Sequence, residues 1–524
     1  MGLGSYPCVE VALPGPITSR RSGPFSVSTR MEGQTMLLES IWTSLRPLLM
    51  YDAQRPLMFH HAEFFLLISV ALGGAALIGR RELVRLWLTL FSFFVYYRIA
   101  GAFAILLGIS IVVDYGLARL LAAESREPRR RALLTLSIVV NLGLLGWFKY
   151  SGLLAETLAG IYGGEWSFRA WALPAGISFY TFQSLSYTID VYRREIVAMT
   201  SFRDYAFFVS LFPQLVAGPI VRASHLIPQI DTAEFPDARG ASAAMALFAA
   251  GAFKKALIAD PIATRLVDPV FTEPLRYTGA EVLLAIYGYG VQIYADFSGY
   301  SDMAIALAAL LGFQLPVNFS RPYMSTSITD FWRRWHISLS TWLRDYLYIP
   351  LGGSRRGRWR TYVNLMLVML LGGMWHGAAW RFGLWGAWHG GLLALERATG
   401  WAERVERSRG LRIAGIIVTF HLVCLGWVFF RADSLQTGVD LLRHIITSPV
   451  LAELSGALQV HAIAAALIAF MLVLHATPPA WRNIGAVVMQ RGTPLLQAAV
   501  LVALVWAAAT VQISSAQPFI YFQF

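Results

Sequence analysis

The run Tyr362-Val-Asn-Leu-Met-Leu-Val-Met-Leu-Leu-Gly-Gly-Met-Trp-His376 decides the class of this chain. Its one polar residue before the histidine is Asn364. A run this apolar is membrane-helix material, and an ionisable ring at its end is costly to keep there unless it is used. Just upstream lies the second informative stretch, Phe331-Trp-Arg-Arg-Trp-His336-Ile-Ser-Leu-Ser-Thr-Trp-Leu-Arg-Asp345-Tyr-Leu-Tyr-Ile-Pro-Leu-Gly-Gly353. With Asp330 it packs a histidine, three arginines and two aspartates into 16 residues of an otherwise apolar protein.

Composition supports the membrane reading. Of 524 residues, 56% are hydrophobic and 14% charged, where soluble domains carry about 25% charged residues. Mean hydropathy is +0.54. The net charge of +12 comes almost wholly from arginine, since Lys149, Lys254 and Lys255 are the only lysines. The arginine bias and abundant alanine read as a GC-rich genome. The basic residues gather in connections between apolar runs, at Arg80–Arg85, Arg126–Arg131, Arg355–Arg360 and Arg404–Arg412. That pattern suits cytoplasmic loops against anionic headgroups and excludes a nucleic-acid-reading face. Cys8 and Cys424 stand alone, so no disulfide, zinc site or thiol chemistry is expected.

Residues 1–35 lack the apolar core of a signal peptide, and Pro14, Pro16, Gly23 and Pro24 break any helix there. Residues 1–57 are therefore expected to be a poorly ordered N-terminal extension or an over-long start, with Met36 or Met58 as alternative first residues. Residues 58–524 are expected to form a single multi-pass membrane domain. Candidate spans are 62–79, 83–97, 100–121, 132–149, 171–191, 204–220, 241–260, 278–300, 361–379, 381–397, 412–430, 459–476 and 494–513. Several are short or interrupted, so the expected fold is an all-α integral membrane bundle of roughly 10 to 13 helices crossing or entering the bilayer.

Region 290–360 does not read as an ordinary loop. Tyr294-Ala-Asp-Phe-Ser-Gly-Tyr-Ser-Asp302 places two carboxylates in a glycine-bearing aromatic stretch. Met303–Phe313 reads as a helix too short to span, and Pro316 and Pro322 bracket Asn318. Helices broken by Pro and Gly are typical of re-entrant or cavity-lining segments. Thr329–Tyr348 reads as one helix, with Asp330 meeting Arg333 and Arg334 at i+3 and i+4. On that helix Trp332, His336, Leu339 and Leu343 share one face. An interfacial anchor with tryptophans and arginines explains this block as well as a site does.

His376 is the stronger candidate. Gly372-Gly373 and Gly377 allow close approach of a chain or ligand to the backbone, and a neutral imidazole can take a proton from an attacking hydroxyl. A plain hydrogen bond to a neighbouring helix is the rival reading. His389 follows 13 residues later, about 140° round an unbroken helix, and reads as structural. The sequence has no nucleophile elbow, Walker A loop, His-Glu-x-x-His or dinucleotide fingerprint, and its dispersed histidines make no metal cluster.

At these residues the chain resembles the membrane-bound O-acyltransferases, within them the branch that serves O-acetylation of alginate and related polysaccharides. The matching blocks are Gly176-Ile-Ser-Phe-Tyr-Thr-Phe-Gln183, Phe212-Pro-Gln-Leu-Val-Ala-Gly-Pro-Ile220, Asp296-Phe-Ser-Gly-Tyr-Ser-Asp-Met-Ala304, Asn318-Phe319, Phe331–Gly353 and Met374-Trp-His-Gly-Ala-Ala-Trp380. They place the family core at about 174–390, and a weaker match reaches Trp427-Val-Phe-Phe-Arg431. The ending Tyr-Ile-Pro-Leu-Gly-Gly353 favours this branch over the D-alanyl-transferring one. The resemblance implies a helical bundle around a central tunnel in a bacterial inner membrane, with His376 as the catalytic histidine and His336 as its polar partner. It implies acetyl-CoA as a cytoplasmic donor, no tightly bound cofactor, and a periplasmic acceptor protein that completes polysaccharide acetylation. Asn318, Arg333, Arg334, Arg344 and Trp375 are the candidate substrate-binding residues, the arginines for coenzyme A phosphates or for lipid headgroups. A transporter or flippase and a non-catalytic scaffold of an export complex are the competing functions, since intramembrane polar residues and broken helices fit them too.

Overall fold

The computed structural model describes residues 61–163 and 173–478 without interruption, several residues between 43 and 59, most of 484–503, and Phe519. The chain divides into two compact units, Met1–Met50 and Tyr51–Phe524. The extension expected over 1–57 falls almost wholly outside the described residues, as does most of the candidate span 494–513. All that follows concerns the second unit.

Among the described residues every regular element is a helix. Those labelled here are α1 Ala62–Ile78, α2 Arg81–Ala100, α3 Ala104–Ala123, α4 Glu127–Tyr162, α5 Ile177–Arg193, α6 Ala238–Phe253, α7 Gly279–Leu310, α8 Ile328–Arg334, α9 Ile337–Leu343, α10 Arg358–His376, α11 Trp380–Thr399, α12 Arg409–Arg431 and α13 Ala462–Ala476. Among the described residues four stretches are long and apolar enough to cross a membrane: Arg81–Ala123, Glu127–Tyr162, Ala238–Thr272 and Arg409–Arg431. Val450–Val460 and Ala462–Ala476, bent by 99°, make a fifth if taken together. The all-α multi-pass membrane bundle is what the structure shows. Candidate spans such as α7, α10 and α11 carry tyrosines, histidines and arginines that lower their hydropathy. Only 17% of the most apolar window of α4 is buried, so this helix lies at the lipid-facing edge.

Three expectations need correction. The candidate span 204–220 is not one helix: Phe202–Ser210 ends, Phe212–Leu215 makes a further turn, and the chain then runs on without regular structure. Its residues are nonetheless buried, Phe207 and Val209 completely, so the segment fills the interior without crossing it.

The stretch at 294–310 is not broken either. It belongs to the 32-residue helix α7, which opens on a capping box between Thr278 and Glu281. Gly299 marks a helix crossing. A Cβ there would sit 2.7 Å from the carbonyl oxygen of Gly251 on α6. The two aspartates flank this crossing and are paired across it. Lys255 Nζ lies 2.6 Å from Asp296 and 2.8 Å from Asp260, and Lys254 Nζ lies 2.5 Å from Asp302. Both lysines fall in the wider π-helical turn Lys254–Ala259 that continues α6. The carboxylates that looked like a helix break are thus counter-ions in a helix packing, fully buried at Asp296 and partly exposed at Asp302.

The third correction concerns Thr329–Tyr348. It is two short helices, α8 and α9, followed by a π-turn at Arg344–Tyr348. The break falls at His336, whose φ of +43° is left-handed, a conformation costing about 1–3 kcal/mol for such a residue. No Pro or Gly signals it. Hydrogen bonds across the break hold it: Ile337 N–H donates to the Asn318 carbonyl at 3.0 Å, and Ser320 N–H to the Arg334 carbonyl at 2.9 Å. Trp332 and His336 therefore do not share a helix face with Leu339 and Leu343. The Asp330–Arg334 ion pair forms as expected, at 2.8 Å, without Arg333.

Replacing Lys255 with Met would leave Asp260 and Asp296 buried without their cation. Stability should fall by about 3–5 kcal/mol, read as a lower unfolding temperature of the detergent-purified protein. Lys254→Met, at the more exposed pair, should cost less.

Candidate active site

His376 is the last residue of α10, where the helix meets Gly377 and turns back into α11. The glycines explain the turn. A Cβ on Gly377 would fall 1.9 Å from the Phe382 ring, one on Gly373 would fall 2.3 Å from the Phe382 carbonyl oxygen, and one on Gly386 would fall 2.3 Å from the Met369 carbonyl oxygen. These positions let α10 and α11 pack backbone to backbone. The close approach read from the sequence is thus made by the chain's own next helix. The last carbonyls of α10 take donors from α4: Lys149 Nζ donates to the carbonyls of Trp375 and His376, and Tyr150 Oη to that of Met374 at 2.7 Å.

His336 reaches the same place from the break between α8 and α9. The two imidazole centroids are 6.4 Å apart, and both rings are buried. Trp375 joins them, with its ring 6.1 Å from His336 and 5.0 Å from His376. Trp385 and Phe430, each 5.2 Å from His376, close the far side.

Asn318 sets the protonation of His336. Its Oδ1 accepts from Ser338 N–H at 3.2 Å and from Ser338 Oγ at 2.9 Å. A backbone N–H can only donate, so the atom facing it is the oxygen. The same oxygen lies 3.2 Å from His336 Nδ1. His336 therefore carries its proton on Nδ1, and the lone pair is on Nε2. Ser338 Oγ in turn accepts from Ile220 N–H at 3.0 Å, and Asn318 Nδ2 donates to Ser301 Oγ on α7 at 3.4 Å. The three sequence blocks around Ile220, Ser301 and His336 meet in this one network.

Two cavities lie at opposite ends of α5. The first, about 570 Å3 counting space open to solvent, is lined by Lys149, Gly176, Ser178, Phe179, Trp375 and His376, among others. The second, about 1000 Å3 on the same measure, is lined by Asp190, Arg193, Arg222, Asp345 and Tyr346, among others. An aromatic column connects them. Trp375 packs on Phe182 at 5.4 Å, Phe182 stacks on Trp342 at 3.8 Å and 7°, and Trp342 meets Tyr346 at 5.2 Å. Tyr346 Oη donates to Asp190 at 2.8 Å, and Arg193 and Arg222 each stand 5.2 Å from its ring. Burial pushes the Asp345 carboxyl up, but hydrogen bonds from Arg344 and Arg222 prevail and hold it below the usual carboxylate range.

The structure thus brings together His376, His336, Asn318 and Trp375. Arg333, Arg334 and Arg344 line neither cavity. Arg334 is paired with Asp330, and Arg344, 60% exposed, with Asp345 at the edge of the second cavity. Arg193, Arg222 and Lys149 take the lining positions that sequence reading missed. Only Lys149 carried a signal, as one of three lysines in the chain. His389 lies one ring behind His376, 4.9 Å from Trp385. The helical-wheel separation of the two histidines does not apply, because the chain reverses between them. Among the described residues no group of three or more His, Cys, Asp or Glu is placed to hold a metal ion.

The family whose sequence pattern matches residues 177–432 is described as MBOAT, membrane-bound O-acyltransferase family. The probable alginate O-acetylase AlgI of Azotobacter vinelandii is 41% identical over 442 residues, covering 78% of this chain and 87% of that one. This chain belongs to the membrane-bound O-acyltransferase family. Two further relatives are less similar than this one. The peptidoglycan O-acetyltransferase of Helicobacter pylori is 36% identical over 388 residues, 69% of this chain and 73% of that one. The teichoic acid D-alanyltransferase of Bacillus subtilis is 28% identical over 272 residues, 49% and 68% of the two chains. As a member of this family the chain is an O-acyltransferase, an enzyme that esterifies a hydroxyl group. The matched segment contains His336, His376, Asn318 and the whole aromatic column.

Asn318→Ala should leave the Ser338 and His336 donors unsatisfied in the interior. It should cost about 1–3 kcal/mol of stability and lower turnover more than it raises KM, since His336 loses its fixed tautomer. Thermal unfolding and steady-state kinetics on the same preparation check both.

Proposed function

We propose that the enzyme is an O-acetyltransferase that carries acetyl groups from acetyl-CoA at the cytoplasmic face of a bacterial inner membrane to an extracytoplasmic polysaccharide such as alginate, by way of a periplasmic acceptor protein. The observation that carries this reading is the meeting of His376 and His336 on Trp375, between two cavities at opposite ends of α5. The names of the relatives supply the acetyl group and the polysaccharide.

The basic connections support a direction. α10 starts beside Arg355–Arg360 and ends at His376, about 28 Å away. α4 starts beside Arg126–Arg131, and Lys149 lies well along it. If those connections face the cytoplasm, the second cavity opens there and the first opens outward. The donor's phosphates would meet Arg193 and Arg222, with Arg344 at the edge, while lipid covers the apolar exterior. Residues 58–524 would act as one catalytic domain.

In the reaction, His376 takes the proton of the acceptor hydroxyl as its oxygen attacks the thioester carbonyl. The carbon–sulfur bond breaks, and the thiolate leaves with that proton. General-base assistance of this kind contributes about 10²–10⁴-fold. His336, with its lone pair on Nε2, accepts a hydrogen bond from the hydroxyl or from the His376 ring and orients it. The transfer requires no bound cofactor.

Transfer of radiolabelled acetyl from acetyl-CoA by the purified protein tests the reading. His376→Ala should insert and unfold normally yet lose about 10²–10⁴-fold in rate. His336→Gln should lose turnover too, and full rate in that variant would reduce His336 to packing. Absence of any acetyl transfer by the wild type, given acceptor protein, would favour a transporter or scaffold.

A further inference from the structure

The chain's two other lysines have carboxylate partners, Lys254 in Asp302 and Lys255 in Asp260 and Asp296. Lys149 has none among the described residues. Its Nζ bonds only carbonyl oxygens, those of Trp375 and, at 3.1 Å, His376. It stands 5.9 Å from the Trp375 ring centroid. Lys149 is half-buried, and an ammonium drawn even partly out of water without a counter-ion is costly. Closing the end of α10 does not require one: a neutral donor does the same work at the neighbouring carbonyl, where Tyr150 Oη bonds Met374. An ammonium has three N–H groups. Two go to the carbonyls of 375 and 376, and the third is left for whatever occupies the cavity that Lys149 lines together with His376.

We propose that Lys149 is a catalytic residue, the cation that stabilises the oxyanion of acyl transfer at His376. This rests on the reading above that His376 activates the acceptor hydroxyl. As the hydroxyl oxygen bonds to the acyl carbon and His376 receives its proton, the carbonyl electron pair moves onto oxygen. The Lys149 ammonium donates a hydrogen bond to that oxygen and keeps its own proton. When the carbonyl re-forms, the carbon–sulfur bond breaks and the thiolate takes the proton from His376. The positive charge is fixed in place before the negative charge appears, and that is the condition under which such a donor acts most strongly.

The test is a kinetic series on the full-length protein in detergent, with Lys149→Met, Lys149→Arg, Lys149→Ala and His376→Ala. Lys149→Met keeps the stem and removes the charge. It should lose about 10²–10³-fold in kcat, the cost of one oxyanion donor, with KM for the acyl donor little changed. Lys149→Arg should retain part of the rate. Lys149→Ala should regain activity with added ethylammonium, in proportion to its protonated fraction. That rescue keeps the proposal testable if the Met variant folds poorly. A folded Lys149→Met with kcat within about threefold of wild type, or loss in all three variants that follows unfolding and no amine restores, overturns the assignment and leaves Lys149 a helix cap. Full activity of His376→Ala would instead overturn the reading of the site itself.

Discussion

Three donors converge on a single oxygen, Asn318 Oδ1: the Nδ1 of His336 and the backbone N–H and hydroxyl of Ser338. Inside a membrane protein a backbone that leaves the helix away from water must find its partners within the protein, because lipid supplies none. Asn318 supplies them at one interruption, with its main-chain and side-chain carbonyls together. Lys149 and Tyr150 supply them at the other, where α10 ends. The two histidines sit at these two interruptions. How the backbone is held at these two points sets where the two side chains start. Shape and chemistry here share a cause: the places where the helices stop are the places where polar groups are allowed.

The charges on α7 are handled differently. On α7 the aspartates of the Asp296–Asp302 stretch are held by Lys254 and Lys255 across the Gly251–Gly299 crossing. That lock fixes α7, whose opposite side touches the site through Phe297, 4.7 Å from the His336 ring, and through Ser301. Paired charges thus build the frame, and the one lysine left without a carboxylate faces the cavity. Lys255, fully buried and paired, is a structural cation, whereas Lys149, half-buried and without a carboxylate, is on the proposed reading a functional one.

Much of this was legible in the sequence. Long apolar runs gave the all-α membrane bundle, and the family blocks pointed to His376, His336, Asn318 and Trp375, which the structure gathers within one network. What was not legible has physical reasons. The left-handed turn at His336 has no Pro or Gly to announce it, because it is imposed by hydrogen bonds from a segment 18 residues away. Gly299 and its aspartates read as a break because pairing with α6 is a tertiary fact. Arg193 and Arg222 sit in unremarkable contexts, and only folding sets them around Tyr346. The arginines of the Phe331–Gly353 block stood out by density, yet local carboxylates at Asp330 and Asp345 take two of them.

The aromatic column explains how one protein can hold two cavities at opposite ends of a helix without making a hole. Phe182 and Trp342 stack face to face, and Trp342 is fixed further by its indole N–H on the Phe182 carbonyl at 3.0 Å. On the proposed reading, a continuous wet pore would leak ions and hydrolyse a thioester, so a septum of stacked rings between the cavities serves both the membrane and the reaction. Charged groups on the Arg193 and Arg222 side cannot pass stacked rings without losing their solvation, whereas a short neutral acyl arm carries no such penalty. On the proposed reading, the septum therefore sorts the donor by polarity. Its phosphates stay with the arginines, and only the acyl end meets Trp375, where the two histidines and Lys149 surround it.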